Sequence, residues 1–318
     1  MLAGITPASS RSGGAQGHVP VLLREAIAAL VIKENGFYVD ATFGRGGHAR
    51  EIMASLVRGK LLVIDKDESA IAAAIKMQDE RMIVRQGSFA NLKRWVEELG
   101  FGGKVDGILL DLGMSSPQVD DARRGFSFTK NGPLDMRMDT TQKLTAALWL
   151  SRATEKELEW VLRNYGEERF SRRIARAIFE AQRVKPLTTT EQLADVAKRA
   201  NPRWEQHKHP ATRVFQALRM VVNDELNELR SCLEQSLDVL AIGGRLAVIS
   251  FHSLEDRVVK DFAQKYMQGC ALSKLPLTAE QLAIRLKRIG RAVAPSDAEI
   301  NDNPRARSAH LRVLEKIA

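Results

Sequence analysis

The stretch FYVDATFGRGGHAR, residues 37 to 50, sets an apolar run and an Asp ahead of three glycines in four positions and then a His. Phe37, Tyr38 and Val39 read as a buried strand ending at Asp40. A backbone so bare just after it lets main-chain N–H groups approach a ligand closely, at the positive end of the helix that follows. In an open parallel sheet, ligands bind beyond the carboxyl ends of the strands, where such a turn lies. Gly44, Gly46 and Ala49 also satisfy a G-x-G-x-x-A dinucleotide fingerprint, so the turn alone does not choose its ligand.

Outward from that turn, strand-like and helix-like segments alternate. FYVDAT (37–42), KLLVID (60–65), RMIVRQ (81–86) and VDGILLDLG (105–113) read as strands; HAREIMASLV, DESAIAAAIKMQ and FANLKRWVEELG read as the helices between them. The pattern predicts an α/β fold with a parallel sheet covered by helices, and runs such as Ile108 to Leu110 fit strands buried on both faces. From Gln118 to about Pro210 the text changes to polar turns and charged amphipathic helices, with Thr188, Thr189 or Thr190 available to cap the last of them. Residues 212–240 then read as one long helix ending before Gly243-Gly244, RLAVISF (245–251) resumes the buried-strand pattern, and LEDRVVKDFAQKYM reads as a further helix. Closing strands are expected near GRAVAPS and AHLRVLEK. The expected division is a leader at 1–17, one domain built from 18–117 plus 211–318, and a helical insertion at 118–210.

A chain of 318 residues can bury one large core, with or without a satellite, unaided by disulfides. Cys232 and Cys270 are too few and too far apart for a zinc cluster or a disulfide framework, which fits a reducing cytosol. The Ser-, Gly- and Ala-rich opening reads as a disordered leader without a signal-peptide core. No window approaches the roughly 20 apolar residues of a membrane span, so no membrane partner is expected. A formal charge of +9 suits a polyanionic partner.

Asp65 ends the second strand about 20 residues after the glycines, where a carboxylate can accept from both hydroxyls of an adenosine ribose. That combination points to a nicotinamide dinucleotide or to S-adenosylmethionine. Phe89, in the turn after strand three, can lie against an adenine or belong to the core. Strand four runs out into Ser115-Ser116-Pro117-Gln118. The two serines can offer acceptors to the N–H bonds of an exocyclic nucleobase amine, freeing its delocalised lone pair for attack, with Pro117 fixing the backbone direction; the same residues can equally be a turn that leaves the sheet. The stretch loosely resembles the Ser/Asp/Asn-Pro-Pro-aromatic motif of amino-methyltransferases, except that Gln118 stands where an aromatic would stack, leaving Phe126, Phe128 or Trp149 to supply it.

His48 invites a reading as a base, and His207-Lys208-His209 as a metal site, but neither has the ligand spacing a metal needs, so no metal is expected. His252 in FHSLED reads as a structural histidine. Arg172, Arg173, Arg176, Arg183 and Lys185 form a solvated helix face or, beside a nucleotide-like site, a phosphate-tracking surface.

HVPVL (18–22), DATFGRGGH (40–48), DGILLDLGMSSPQ (106–118), RGFSF with GPLDMRMD (124–139), YGEERFSRRIARAI (165–178), HPATRVFQALRMVVNDEL (209–226), GGRLAVISFHSLEDRVVK (243–260) and NPRARSAHLRV (303–313) together resemble the bacterial MraW family, the small-subunit ribosomal RNA methyltransferases H. The likeness runs from about His18 to the C-terminus. It implies a Rossmann-like class I S-adenosylmethionine-dependent methyltransferase domain with a helical insertion for substrate recognition. It further implies a cytoplasmic enzyme that methylates N4 of a cytosine in the decoding region of 16S rRNA, within the small ribosomal subunit or as free RNA. By the same resemblance the cofactor contacts fall on Gly46, Gly47, His48, Asp65, Phe89, Asp111 and Gln118. A homodimer is compatible with it and not legible in the sequence. The rival readings are a nicotinamide-dependent oxidoreductase, for which no hydride-transfer partner can be placed, and a non-catalytic RNA-binding protein, which leaves the glycine turn and Asp65 idle.

Overall fold

The computed structural model describes residues 20–204, 209–267 and 284–318. The leader at 1–17, His207, Lys208 and Cys270 lie outside them. The strands are β1 (Phe37–Asp40), β2 (Lys60–Asp65), β3 (Met82–Gln86), β4 (Val105–Asp111), β5 (Leu240–Ser250), β6 (Leu286–Arg288) and β7 (His310–Lys316). They form one sheet in the order β3-β2-β1-β4-β5-β7-β6. The pairs from β3 through to β5 are parallel, and β7 runs antiparallel to both its neighbours.

The sheet is buried on both faces because successive side chains point to opposite sides. Leu62, Ile64, Ile108, Leu110, Leu246 and Val248 pack into one cluster with α4 (Leu92–Glu98), α11 (Glu225–Val239) and α12 (Ser253–Met267). Leu61, Val63, Leu109, Ala247 and Ile249 pack into the other, with α1 (Leu23–Leu30), α2 (Gly47–Ser55) and α3 (Glu68–Ile75). Polar groups of these strands therefore reach solvent only at the strand ends.

Between β4 and β5 lie α5 (Ser116–Asp120), α6 (Ala146–Arg152), α7 (Glu155–Asn164), α8 (Ser171–Val184), α9 (Thr190–Ala200) and α10 (Ala211–Val222). A third apolar cluster, with Leu150, Leu162, Ile178, Leu193, Phe215 and Leu218 among its members, holds α6 to α10 together. Thr189 is the residue that caps α9, through the Gln192 N–H. Thr190 is buried and its hydroxyl reaches the Lys130 carbonyl at 3.1 Å.

The structure departs from the pattern reading at three places. The long helix expected over 212–240 is two helices, broken at Asn223 and at Asp224, whose φ is +50°. Leu218, Val222, Leu226, Leu229 and Leu233 keep helical spacing across the break, so periodicity cannot reveal it. Yet Leu218 and Val222 bury in the helical cluster, whereas Leu226 onward bury against the sheet. By packing, α10 sides with the helices and α11 with the sheet. Secondly, β5 starts at Leu240, paired with Val105, and pairs next at Arg245 with Gly107, so residues 241–244 bulge out between. Thirdly, GRAVAPS holds a single bridge from Val293 to Leu311, and β6 precedes it.

Asn223 fills the break. Its Nδ2 donates to the carbonyls of Met136 (2.8 Å) and Arg219 (2.9 Å), and its Oδ1 accepts from Met138 N–H (2.7 Å), all in a buried setting. Asn223→Ala strands these groups without partners and should cost about 1–3 kcal/mol of stability, read as a lowered urea midpoint. An unchanged midpoint would show that the break is held by packing alone.

Candidate active site

At the carboxyl ends of β1, β2 and β4 a cavity of about 600 Å³ opens, reached also by the turn after β3 and the end of β5. The turn between β1 and α2 forms one wall. Gly44 and Gly46 both take left-handed backbone angles, φ +56° and +72°, which side-chain-bearing residues rarely adopt. A Cβ on Gly46 would lie 2.5 Å from the Phe43 ring, and one on Gly47 2.0 Å from Pro20. Gly47 lines the cavity; Gly46 does not, and shapes the turn instead.

Asp65 lines the cavity at the end of β2. Its Oδ2 accepts from Gly44 N–H (2.7 Å) and its Oδ1 from Asp67 N–H (2.8 Å). Each oxygen keeps a second acceptor position. Burial pushes this carboxyl up to about 6, against those two N–H groups. Asp111, ending β4, and His48, in the first turn of α2, stand with Nδ1 and Oδ2 3.7 Å apart. Burial holds the imidazole down at about 4, against a backbone hydrogen bond at Val21, so His48 is neutral at pH 7.

The acids are costly where they stand. Burial pushes Asp40 up to about 7, and burial with repulsion from Asp40 and Glu255 pushes Asp111 well above the carboxylate range. Asp40 Oδ2, Asp111 Oδ1 and His48 Nε2 are buried without hydrogen-bond partners. Of these residues Asp111 and His48 line the cavity, and the buried, unpaired Asp111 oxygen suits a cationic occupant, which would offset its desolvation.

Phe89 lines the cavity and packs on the sheet cluster. Ser115, Ser116 and Pro117 line the cavity together. Pro117 sits in the first turn of α5, where its missing N–H costs nothing. Gln118 lines it too, but its carboxamide is committed at both ends, accepting Ser115 N–H (2.9 Å) and donating to Asp67 (2.8 Å). Phe126, Phe128 and Trp149 lie outside the cavity; its aromatic walls are Phe43, Phe89 and Phe251. His252 is set back, its Nε2 3.0 Å from Glu255.

Several residues in or beside the cavity act through partners distant in sequence. Asp67 accepts from Ser69 N–H, Gln118 and Arg124 (2.6 Å); burial pushes it up, but Gln118 and Arg124 outweigh that and hold it below the usual range. Glu225, His252 and Glu255 bring ligand-type atoms within 4.8 Å of one another. Both Glu225 oxygens are taken by Arg219, each at 2.7 Å, which makes the group an ion-pair network. The i,i+3 spacing of His252 and Glu255 was the one legible hint of it.

The model of the MraW methylase family matches residues 15–317. A ribosomal RNA small subunit methyltransferase H from Legionella pneumophila is 54% identical over 305 residues, 95% of this chain and 99% of that one. Its namesake from Coxiella burnetii is 51% identical over 306 residues, 95% and 100% of the two chains. Among solved structures, a putative rRNA-methylase from Clostridium thermocellum aligns over 95% of this chain and 98% of that chain, at 11% identity and a TM-score of 0.44.

Because the folded chain holds a proton on Asp40 up to about pH 7 that the unfolded chain releases near pH 4, Asp40 makes stability fall as pH rises through that window. Asp40→Asn lacks this titration. Without added ligand, its stability relative to the parent should rise between pH 5 and pH 8 by on the order of 1–3 kcal/mol, measured by urea denaturation at both pH values. A difference independent of pH would show that Asp40 does not titrate there.

Proposed function

The chain belongs to the MraW methylase family, and from that premise we propose that it methylates ribosomal RNA, taking the methyl group from S-adenosylmethionine and placing it on N4 of a cytosine in the decoding region of 16S rRNA. The observation that supports this reading best is the meeting, in one cavity, of the strand-end carboxylates Asp65 and Asp111, the latter with an unpaired oxygen, and the Ser115-Pro117 exit of β4.

The residues fit this cofactor. The free acceptor positions of Asp65 suit ribose hydroxyls, Phe89 offers a ring edge or face to an adenine, and Gly47 leaves room beside α2. Asp111, half-buried with one oxygen buried and unpartnered, suits the cationic methionine portion. When bound, S-adenosylmethionine supplies an electrophilic sulfonium methyl. The chain's own task is then orientation. The Ser116 hydroxyl, without a protein partner among the described residues, and Ser115 beside it can accept from the two N–H bonds of an exocyclic amine and turn its lone pair outward. Gln118 and Pro117 hold that turn in place. His48, neutral at pH 7, adds no cation beside the sulfonium.

The helical layer at 118–210, joined by α10, is the part suited to read the RNA, with residues 18–117 and α11 onward holding the cofactor. Arg172, Arg173 and Arg176 stand exposed on α8, and Arg173, Lys185 and Arg199 border a groove between α8 and α9. That is the face a phosphate backbone would follow. No helix among the described residues is long and apolar enough to cross a membrane, and an rRNA substrate supports the reading of a cytoplasmic enzyme.

The test is mass spectrometry of 16S rRNA after incubation with the purified chain and S-adenosylmethionine, as naked RNA and as 30S particles. One added methyl on a single cytosine is expected in at least one of the two; modification of neither, or of another base, overturns the reading. Asp65→Ala should weaken S-adenosylmethionine binding by about 1–3 kcal/mol in calorimetry, and an unchanged affinity removes Asp65 from the site.

A further inference from the structure

We propose that the groove between α6 and α7 is a docking site for one unpaired nucleotide of RNA, separate from the base that receives the methyl; the proposal rests on the RNA reading above. The groove encloses about 510 Å³, walled by Leu144, Trp149, Trp160 and Val161, with Arg152 and Lys156 beside them. Trp160 is 53% exposed. About half of the indole is thus free to meet a ligand at the groove. An edge-to-face contact with Tyr165, 5.3 Å between ring centroids, sets its position, and Trp149 is anchored on the helical core.

The cations decide the kind of occupant. On α7 the exposed Arg163 is paired one turn away with Glu159. Arg152 and Lys156 are exposed, and neither has an ion-pair or hydrogen-bond partner among the described residues. The carboxylate at the groove, Glu157, is turned back onto its own helix, where Oε2 accepts from the Thr154 N–H and hydroxyl, both at 2.8 Å. With two cations that have no partner against one carboxylate, the groove thus offers stacking surface and a net positive lining together. A base on an aromatic ring with its phosphate on a cation is how sequence-tolerant single-stranded nucleic acid is held.

Its position suits the reaction. Leu144 is six residues from Met138, which lines the active cavity. Six extended residues span at most about 20 Å, so the groove's edge is within reach of nucleotides flanking one held in the cavity.

The test is fluorescence anisotropy of a labelled single-stranded RNA oligonucleotide titrated with the full chain at several salt concentrations. Trp160→Ala should weaken binding roughly tenfold or more and leave the salt slope unchanged, while Trp160→Phe keeps most of the affinity. Replacing Arg152 and Lys156 by Ala should flatten the slope by about 1.4, or 0.7 for each phosphate released. S-adenosylmethionine affinity should be the same in all variants, which reports an intact fold. Parental RNA affinity in Trp160→Ala overturns the groove as a nucleotide site and leaves the RNA reading standing; a parent chain that binds no RNA overturns both. Self-association of the parent that Trp160→Ala abolishes, with RNA affinity unchanged, gives the groove to a second copy and overturns the proposal.

Discussion

Asp67 is the joint on which the arrangement turns. Its carboxylate caps α3 through Ser69, braces the Ser115 turn through Gln118, and binds Arg124. Arg124 in turn donates to the carbonyls of Arg137 and Met138, and Met138 N–H binds Asn223 at the break between α10 and α11. A second route runs beside it, from Lys66 to the Asn223 carbonyl. Two adjacent residues at the end of β2 thus tie the strand-end cavity to the helical layer, and a charge-assisted, largely buried hub is costly to leave half made.

Against that rigid frame, the cavity itself is left electrostatically unfinished. The sheet's two-sided burial forces Asp40 and Asp111 to end their strands in a water-poor place, and the nearest base, His48, is kept neutral by the same burial. The acids repel one another with no fixed cation between them. Natural cores avoid this, and functional sites tolerate it where a ligand completes the balance.

What was legible in the sequence follows from the range of each interaction. The strands showed because burial on both faces writes continuous apolar runs, the glycine turn because positive φ leaves few alternatives, and the α9 cap because Thr189 and Gln192 are three residues apart. The break at Asn223 did not show, because the apolar period continues while the core it serves changes. That Gln118 braces the turn did not show, since its partner Asp67 is 51 residues away. The ring supply failed likewise: Phe128 is taken up by His209 and Phe215, while Phe251, at the mouth of β5, carries no mark that separates it from a core residue.

The place of the helical layer in the chain bears on biosynthesis. β5 lies next to β4 in the sheet, yet the whole layer is translated between them. Until residue 240 and beyond have left the ribosome, β4 presents an open, parallel, apolar edge, and the half-sheet β3-β2-β1-β4 lacks α12 over one face. Such an intermediate has the unpaired edge and exposed surface that invite misassociation. The helical layer, by contrast, is complete once α10 emerges, so its own core can form before the remaining strands are made.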